Sequence, residues 1–381
     1  MANGQALPIA LVGAGKVAHA AHLRELRELP ALLHLAAVVD PDPARTAAVH
    51  ATGFPGAAPC RDLAEAVAAG ARAALVCTPW WTHRDVVLEC LDLGLPVLCE
   101  KPVSLDLAEV EEMAAAERRT GVPVAAGYMK RHDQVVALFL DRCRERLDRA
   151  RRLAVDVHDP NAPHQVAHLM PYPPPPFGPQ PAPARAALER ALGPGSTHEQ
   201  REAYARGLGG SLIHQVNLVH AVLDGSGREL AGRLLHADRW AAGDGVSCRW
   251  RPDDGLLVDL THQRVPRHRR YREVLEFTAG DAVATLTLPS PYARDESATL
   301  TVETWDAGTG VGERATWTAE PGRTGFRRQL AAWARSLGAA GRDGSAGSAG
   351  SGTGTGSGRL PGLDDVRRDA LAVREAALRL A

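Results

Sequence analysis

The first 130 residues of this 381-residue chain alternate short apolar runs with segments of helical pattern. The apolar runs span residues 8–12, 33–39, 73–77, 97–99 and 122–126. The helical segments span residues 16–29, 62–69, 84–93 and 107–120. Continuous apolar strands separated by helices are typical of a parallel sheet that is covered on both faces. The sequence therefore predicts a doubly wound α/β domain over residues 1–130.

The pattern changes after a predicted helix at residues 134–147. Strand-like runs then follow one another at residues 153–158, 232–240, 246–250, 256–265, 271–278, 282–288, 299–305 and 313–318. Several of these runs alternate apolar and polar residues, which predicts an antiparallel sheet with one covered face. One helix, near residues 210–223, is expected to interrupt the series. We therefore expect a second, α+β domain over residues 131–337.

Two segments have the pattern of neither element. Residues 171–183 contain eight prolines, which predicts a loop of polyproline type. A surface insertion, a loop that closes over a ligand and a ligand for a proline-reading domain all remain open for it. Residues 338–360 are mostly Gly, Ser, Ala and Thr and are predicted to form a flexible linker. Residues 361–381 follow as an amphipathic helix that is expected to pack back on the body.

Composition argues against several classes of protein. The net charge of -1 gives no general attraction to nucleic acid or to an anionic membrane. The N-terminal residues lack the layout of a signal peptide, and the apolar runs are too short to span a bilayer. The six cysteines show no C-x-x-C pair and no metal-ligand spacing, which favours a reduced compartment. We therefore expect a cytoplasmic protein with no metal site that binds neither nucleic acid nor membrane.

The turn after the first strand carries a dinucleotide-binding pattern. Residues 13–18 fit Gly-x-Gly-x-x-Ala, follow a strand and open a helix. Gly13 permits the tight turn, and Gly15 lets the backbone approach a pyrophosphate. The helix N-terminus, where Lys16 and Val17 lie, supplies amide donors and a positive partial charge. A pair of turn glycines with no ligand is the alternative interpretation.

An acidic residue follows the second strand at the position that this pattern requires. Asp40 is placed to accept hydrogen bonds from the adenosine ribose hydroxyls. A carboxylate there repels a 2′-phosphate, so NAD is favoured over NADP. Arg45 lies close enough in the sequence to leave NADP open, and a solvated aspartate is the alternative for Asp40.

Lysine is rare in this chain. Only Lys16, Lys101 and Lys130 occur among its 44 basic residues. A lysine amine can be tuned to donate and accept a proton, whereas arginine stays protonated. Lys101 ends an apolar run and precedes a proline, at the sheet edge where α/β proteins place ligands. It is the first candidate for chemistry, and a surface lysine after a strand is the alternative.

The third strand also ends in a distinctive motif. Thr78 and Pro79 close it, and His83 follows five positions after the threonine. In a doubly wound sheet this edge faces the cofactor. Pro79 and Trp80 or Trp81 are therefore expected to wall the nicotinamide side. A histidine that faces solvent in the first helical turn is the alternative for His83.

Taken in order, these motifs resemble the Gfo/Idh/MocA oxidoreductase family, named for glucose-fructose oxidoreductase, inositol dehydrogenase and MocA. The series consists of the glycine loop, the strand-ending Asp40, Thr-Pro-x-x-x-His at 78–83, Glu-Lys-Pro at 100–102, and Gly-Tyr-Met-Lys-Arg at 127–131. The resemblance extends over nearly the whole chain and is strongest over residues 8–132. It implies a Rossmann domain followed by an open-faced, mostly antiparallel sheet domain that often mediates dimer or tetramer contacts.

The same resemblance implies a reaction and its base. The reaction would be the NAD(P)-dependent oxidation of a secondary alcohol, or the reverse, on a sugar, cyclitol or nucleotide sugar. Lys101 would approach both the nicotinamide and the reacting carbinol, because hydride leaves carbon only as the hydroxyl proton is removed. A desolvated lysine there can have its pKa lowered to about 7–8. Glu100 either orients this lysine or is structural, and Tyr128 and Arg131 are expected to contact substrate.

The second catalytic element departs from the family pattern. Many relatives carry an Asp and a His four residues apart on the helix after a Gly-Gly pair, and here His214 and Leu218 stand at those positions. His214 is expected to titrate in the neutral range and to act as acid/base or bind substrate. A buried structural histidine is its alternative. Asn217 is expected to hydrogen-bond a sugar hydroxyl, whereas His220 lies about 120° around the helix.

Two functions are compatible with the sequence. The first is an NAD(P)-dependent dehydrogenase or reductase that acts on a small polyhydroxylated molecule and forms a homo-dimer or homo-tetramer through its sheet domain. The second is a non-catalytic NAD(P)-binding regulatory or scaffold protein of the same fold. The absence of the usual Asp and His pair motivates the second.

Overall fold

The computed structural model describes residues 6–160, 165–172, 179–241, 244–253, 255–266, 268, 270–339 and 359–380. Over these ranges the chain forms a six-stranded sheet and then an eight-stranded sheet. The doubly wound first sheet and the mostly antiparallel second sheet predicted from the pattern are both confirmed. Residues 340–358 of the predicted linker and residues 173–178 of the proline-rich loop lie outside the described residues.

The first sheet is entirely parallel, in the order β3-β2-β1-β4-β5-β6. Its strands are β1 Leu7–Val12, β2 Leu33–Val39, β3 Ala58–Cys60, β4 Ala73–Val76, β5 Val97–Glu100 and β6 Val124–Gly127. The order reverses between β1 and β4, and doubly wound sheets bind ligands beyond the carboxyl ends of the strands at such a point. Strand β3 is a correction to the five predicted strands. It is a three-residue edge strand that contains Pro59, so it shows neither an apolar run nor an alternation.

Helices connect the strands of the first sheet. They are α1 Leu23–Leu26, α2 Pro43–Ala51, α3 Leu63–Ala68, α4 His83–Asp92 and α5 Leu107–Thr120. Helix α5 shows how the sequence sets its ends: the side chain of Asp106 accepts the amide of Ala108, and Gly121 closes the helix with a φ of 70°. The helix predicted at residues 16–29 is found over residues 16–26, with a π turn at Ala18–His22 before α1. The π turn was not predicted, because a wider turn leaves no mark on a 3.6-residue pattern.

The second sheet has the order β14-β13-β12-β11-β7-β10-β9-β8. Its strands are β7 Ala150–Asp159, β8 Leu234–Trp240, β9 Gly245–Trp250, β10 Leu257–Arg264, β11 Arg272–Ala279, β12 Ala282–Leu288, β13 Thr299–Asp306 and β14 Val311–Thr318. Strands β7 and β10 are parallel, and the other neighbours are antiparallel. Along the central β7, Leu153, Val155 and Val157 are buried on one face. This period of two is the alternation that the sequence displays.

Four helices accompany the second sheet: α6 Gln134–Arg144, α7 Ala182–Leu192, α8 His198–Ala203 and α9 Ile213–Leu223, with a π-helical segment Tyr204–Leu212 before α9. Of these elements, α6 packs against β12 and β13, and the π-helical segment packs against β9 and β10. The expectation of a single helix near residues 210–223 is therefore wrong. Helix α7 begins at the prolines of residues 181 and 183, and proline is tolerated in a first helical turn. Those prolines start a helix as well as ending a loop.

Two further helices return to the first sheet. Helix α10, Gly325–Ala339, places Leu330 and Trp333 in the apolar cluster that contains Ile9 and Leu11 of β1. Helix α11, Leu363–Arg379, packs against α5 and α9. Within the part of the chain that the structure describes, no helix combines the length and apolar character needed to cross a membrane.

A buried carboxylate anchors α11. Asp369 has 0% exposed surface. Its Oδ2 accepts a hydrogen bond from the amide nitrogen of Asn217 at 2.7 Å, and its Oδ1 lies 2.6 Å from Nδ1 of His220. Both partners lie on α9. Burial of a carboxylate is costly unless it is paired, so this cluster fixes α11 in one position.

We expect Asp369→Ala to lower the free energy of unfolding by about 3 kcal/mol, because it leaves Asn217 and His220 buried without their acceptor. Asp364 lies on the same helix and is exposed. The matched Asp364→Ala variant should change the free energy of unfolding by no more than about 0.5 kcal/mol. Urea unfolding followed by circular dichroism measures both, and equal losses would show that the cluster has no special weight.

Candidate functional site

The glycine loop lies at the carboxyl edge of the first sheet. Gly13 has a φ of 87° and donates its amide to the carbonyl of Val39 at 2.8 Å. A Cβ atom at Gly13 would lie 2.8 Å from the amide nitrogen of Thr78, so only glycine fits there. A Cβ atom at Gly15 would meet no protein atom within 4 Å. The loop is therefore packed tightly on one side and leaves open space beside Gly15, as a bound pyrophosphate requires.

Asp40 is part of the glycine loop's own framework. Its carboxylate accepts the amide of Ala14 at 2.8 Å and the amide of Asp42 at 2.9 Å. The side chain is only 2% exposed, and the guanidinium of Arg45 lies 3.9 Å from it. Each carboxylate oxygen can accept a further hydrogen bond. Contact of Asp40 with a ribose thus stays a prediction. The alternative of a solvated aspartate is wrong, because the side chain is buried.

A tyrosine from the proline-rich segment reaches the same loop. The hydroxyl of Tyr172 donates to the carbonyl of Ala14 at 2.6 Å. Its ring meets His19 edge to face at 5.6 Å between centroids, and the guanidinium of Arg45 lies 5.9 Å from its centroid. The proline-rich loop was predicted from the sequence, but the contact of Tyr172 was not. The only sequence feature that could have indicated it is a single tyrosine within a run of prolines.

His83 is buried between two strand ends. Its Nδ1 lies 3.0 Å from the carbonyl oxygen of Pro102, and its Nε2 lies 2.9 Å from that of Thr78. Burial lowers the pKa of His83, while the two carbonyls raise it. The residue therefore does not face solvent; it ties the end of β4 to the turn after Lys101. Nearby, Trp80 and Trp81 are half-buried and pack edge to face on one another.

Lys101 connects the first sheet to the second domain. Its side chain is half-buried at the end of β5, and its Nζ donates to the carbonyl of Gly210 at 2.8 Å. Gly210 belongs to the π-helical segment before α9. The Gly-Gly motif and the Glu-Lys-Pro motif, about 110 residues apart in the sequence, are thereby joined by one hydrogen bond.

The charges around Lys101 tune its amine. Burial lowers the pKa of Lys101 to about 8. The carboxylate of Glu100 raises it, the ammonium groups of Lys130 and Lys16 lower it, and the carboxylate of Asp159 raises it. The ammonium charges of the other two lysines of the chain therefore act on Lys101. An amine with this pKa exchanges protons near neutral pH, which an ordinary lysine does not.

Glu100 lies directly beneath this lysine. Its Oε2 accepts the backbone amide of Lys101 at 3.1 Å, and its Oε1 lies 2.7 Å from Nε2 of His22. Both Glu100 and His22 are buried. The π turn after the glycine loop thus supports the strand end that carries Lys101.

His214 lies beside Lys101 but does not titrate as expected. Burial and the charges of Lys101 and Lys130 lower the pKa of His214 well below its ordinary value. The expected neutral-range titration is therefore wrong, and the imidazole is neutral at physiological pH. Its ring packs edge to face on Tyr128 at 6.1 Å between centroids. A neutral imidazole can still accept or donate one hydrogen bond at each nitrogen.

Arg131 and Asn217, which were expected to contact substrate, instead contact carboxylates of α11. Arg131 is buried, 3.6 Å from carboxylate oxygens of both Asp224 and Asp365. Asn217 donates to Asp369, as described above. The structure brings neither Arg131 nor Asn217 to Lys101. Tyr128 is also buried, and it lies between the two regions because its ring contacts His214.

The second sheet carries buried polar residues that were not predicted from the sequence. In the register of the sheet, Val157 of β7 faces His262 on one side and Glu273 on the other. Glu273 forms an ion pair with Lys130 and accepts the hydroxyl of Tyr271 at 2.5 Å. On β10 and β11, His262 and Glu273 occupy the same alternating positions as the buried apolar residues of their strands. This alternation is the sequence signal that could have identified them as inward-facing.

Comparison with known proteins places this architecture. Residues 7–128 match the model of the Gfo/Idh/MocA family, described as an oxidoreductase family with an NAD-binding Rossmann fold. Over residues 7–128 the chain is therefore similar to the NAD-binding Rossmann domain of that family, and the resemblance drawn from the motifs is confirmed there.

The curated relatives match over the same region. Inositol 2-dehydrogenase of Arthrobacter sp. (strain FB24) is 36% identical over 131 residues, which are 34% of this chain and 38% of that protein. Myo-inositol dehydrogenase Hyg17 of Streptomyces leeuwenhoekii is 32% identical over 160 residues, 41% of this chain and 47% of that protein. The matches thus span less than half the length of each relative.

Solved structures resemble the whole fold. UDP-N-acetylglucosamine 3-dehydrogenase GnnA from Acidithiobacillus ferrooxidans superposes with a TM-score of 0.66 at 17% identity, over 98% of this chain and 97% of that one. The 3-ketoreductase KijD10 from Actinomadura kijaniata, in complex with NADP and TDP-benzene, gives a TM-score of 0.67 at 17% identity, over 98% of each chain. The two-sheet architecture is therefore shared with these enzymes.

We expect Lys101 to titrate near pH 8, against about 10.4 for an ordinary lysine. With only three lysines, reductive methylation with isotope-labelled methyl groups gives few signals, and Lys101→Arg identifies the one from Lys101. Glu100→Gln should lower the measured pKa further, because the Glu100 carboxylate raises it. A titration of Lys101 above pH 10 would show that the cleft does not tune it.

Proposed function

We propose that this protein is an NAD(P)-dependent dehydrogenase or reductase that interconverts a secondary alcohol and a ketone on a small polyhydroxylated molecule. The observation that carries the proposal is the position of the Lys101 amine, which donates to the carbonyl of Gly210 at the carboxyl edge of a sheet that matches an NAD-binding family. Burial lowers the pKa of this amine to about 8. Relatives named for inositol and structures named for a nucleotide sugar support a sugar, cyclitol or nucleotide sugar as the substrate.

The cofactor site is proposed from the loop geometry. Gly13, Gly15 and the amides of Lys16 and Val17 would hold the pyrophosphate, and Asp40 would accept the ribose hydroxyls. NAD is the proposed cofactor because a 2′-phosphate would meet the carboxylate of Asp40. NADP is the second candidate, because the guanidinium of Arg45 is 44% exposed beside that carboxylate.

The far end of the cofactor would be shaped by the β4 motif. Pro79 and Trp80 or Trp81 would wall the nicotinamide, with His83 fixing the turn at Thr78 behind them. When bound, the nicotinamide accepts or supplies the hydride. His83 itself is proposed to act through the backbone of Pro102 and Thr78, since both of its ring nitrogens face carbonyl oxygens.

The protein's own residues would handle the proton. Lys101 takes the hydroxyl proton during oxidation and returns it during reduction. The carbonyl of Gly210 holds the amine in place, and Glu100 fixes the strand end beneath it. His214, neutral and beside Lys101, would bind a substrate hydroxyl. It would not exchange a proton near neutral pH.

The second candidate is a non-catalytic NAD(P)-binding regulator or scaffold. The observation in its favour is Leu218, a buried leucine where many relatives are expected to carry a catalytic histidine. Under this alternative the protein binds cofactor but turns over no alcohol.

Self-association is proposed through the second sheet. Trp305 of β13 and Val311 of the edge strand β14 are 57% and 56% exposed, and the register places them on opposite faces of the sheet. Large apolar side chains exposed at a sheet edge are typical of a contact between proteins. A homo-dimer or homo-tetramer would cover them.

We expect Lys101→Ala to reduce turnover by about 100-fold or more, because the step loses its proton acceptor. NAD affinity should change little. The measurement is the absorbance of the reduced nicotinamide with NAD and a panel of sugars, cyclitols and nucleotide sugars. Lys101→Arg keeps the positive charge but cannot titrate, so it should be as inactive as the alanine variant. Full activity in either variant contradicts the role of Lys101, and cofactor binding without turnover across the panel favours the second candidate.

We expect Gly15→Ala to weaken NAD binding by about tenfold, a loss of about 1.4 kcal/mol. The added methyl group meets no protein atom, so the fold is kept, but it enters the space beside the loop. Gly56→Ala, at another position where a Cβ atom meets nothing, is the matched control. Isothermal titration calorimetry with NAD measures both. Unchanged affinity in Gly15→Ala would show that the pyrophosphate lies elsewhere.

A further inference from the structure

We propose that Tyr172 is a cofactor-specificity residue, which the second domain places at the glycine loop so that its phenol oxygen accepts a hydrogen bond from a hydroxyl of the adenosine ribose. The inference rests on the proposed function for the identity of the ligand, an adenine dinucleotide. Its test measures binding and does not depend on turnover.

The segment that carries Tyr172 follows β7 and lies along the helix after the glycine loop. Its Gln165 accepts the hydroxyl of Ser290, in the loop between β12 and β13, at 3.0 Å. His168 of this segment and His19 of the π turn line the same cavity. Tyr172 therefore approaches the first domain from a segment that is held by the second.

Three contacts bring the side chain of Tyr172 to the proposed adenosine end of the site. Its hydroxyl donates to the carbonyl of Ala14 at 2.6 Å, and its ring meets that of His19 edge to face at 5.6 Å. The guanidinium of Arg45 lies 5.9 Å from the ring centroid. The carboxylate of Asp40 accepts the amide of Ala14 at 2.8 Å and lies 3.9 Å from the guanidinium of Arg45. Tyr172 and Asp40 thus share two neighbours.

The protonation of Tyr172 determines what its oxygen can do. Burial raises the pKa of Tyr172 above its ordinary value, although the charge of Arg45 lowers it. The hydroxyl therefore keeps its proton at neutral pH. A phenol donates one hydrogen bond and can also accept. Because the proton is directed to the carbonyl of Ala14, the oxygen is left to accept from a ribose hydroxyl.

This arrangement discriminates between NAD and NADP. The two ribose hydroxyls of NAD can donate to Asp40 and to Tyr172, whereas a 2′-phosphate brings acceptor oxygens toward a carboxylate and a phenol whose proton is already engaged. Arg45 would attract the phosphate. Its guanidinium, however, lies 3.9 Å from Asp40 and 3.6 Å from Asp42, and it also contacts the ring of Tyr172. Tyr172 is therefore expected to favour NAD.

The test is the dissociation constant of the full-length protein for NAD and for NADP, measured by isothermal titration calorimetry. Tyr172→Phe keeps the ring and removes only the hydroxyl. It should weaken NAD binding by about fivefold, the effect of one hydrogen bond. NADP binding should change by less than about twofold, because a phosphate makes no such bond, so the preference for NAD falls.

Two analogues of NAD test the contact itself. One lacks the 2′-hydroxyl of the adenosine ribose, and the other lacks the 3′-hydroxyl. Removal of the hydroxyl that Tyr172 accepts should cost the wild-type protein at least about threefold more affinity than it costs Tyr172→Phe, since both changes delete the same hydrogen bond. Equal costs in the two proteins for both analogues would overturn the proposal.

Tyr204 provides the matched control. It is a buried tyrosine whose hydroxyl donates to the backbone carbonyl of Leu105 at 2.7 Å. Tyr204→Phe loses a similar hydrogen bond and should leave both dissociation constants unchanged. Equal weakening of NAD and NADP in Tyr172→Phe, or the same loss in Tyr204→Phe, would show that the hydroxyl only supports the fold, and the proposal would be wrong.

Folding and the proposed activity are separated from this result. Circular dichroism checks that each variant is folded, and Tyr172→Leu replaces Tyr172→Phe if the phenylalanine variant is not. Tighter NAD binding without the hydroxyl would show that Tyr172 occupies the place of the ribose, which contradicts the proposal. NAD binding without turnover on any alcohol would overturn the proposed dehydrogenase but keep the role of Tyr172. A wild-type protein that binds neither dinucleotide would overturn the cofactor site and this inference together.

Discussion

The hydrogen bond from Lys101 to the carbonyl of Gly210 is the contact on which the site depends. It joins the carboxyl edge of the first sheet to the π-helical segment Tyr204–Leu212, which packs against β9 and β10 of the second sheet. Because the amine is held from one domain and carried by the other, its surroundings include charges from both. Burial of the amine at this contact lowers its pKa.

A second set of buried charges holds the helices behind the site. Asp365 and Asp369 of α11 engage Arg131, Asn217 and His220, which belong to the segments on either side of the cleft. The two ends of the motif from Tyr128 to Arg131 therefore have different contacts. The ring of Tyr128 packs on His214, whereas the guanidinium of Arg131 lies beside the carboxylate of Asp365 on α11. A sequence motif therefore does not distinguish residues that could bind a ligand from residues that stabilise the fold.

The strands of the first sheet, its glycine loop and the placement of Lys101 could be predicted because they rest on local patterns. A glycine that must approach a neighbouring strand, or an apolar run that must be buried, is visible in a few adjacent residues. The edge strand with Pro59 and the π turn at Ala18–His22 were missed, because neither disturbs the local pattern. The contacts of Arg131 and the charge of Asp159 at Lys101 could not be predicted. They join residues far apart in the sequence, and only the packed structure brings them together.

The order in which the chain is made gives the anchoring of α11 a further meaning. Ribosomes deliver α11 after every other described element, so Arg131, Asn217 and His220 are synthesised long before their carboxylate partners. A nascent chain that stops before residue 359 would have to keep these groups hydrated, with α9 loosely packed. The contacts that hold α9 and Arg131 behind the site would then be completed only when α11 is in place.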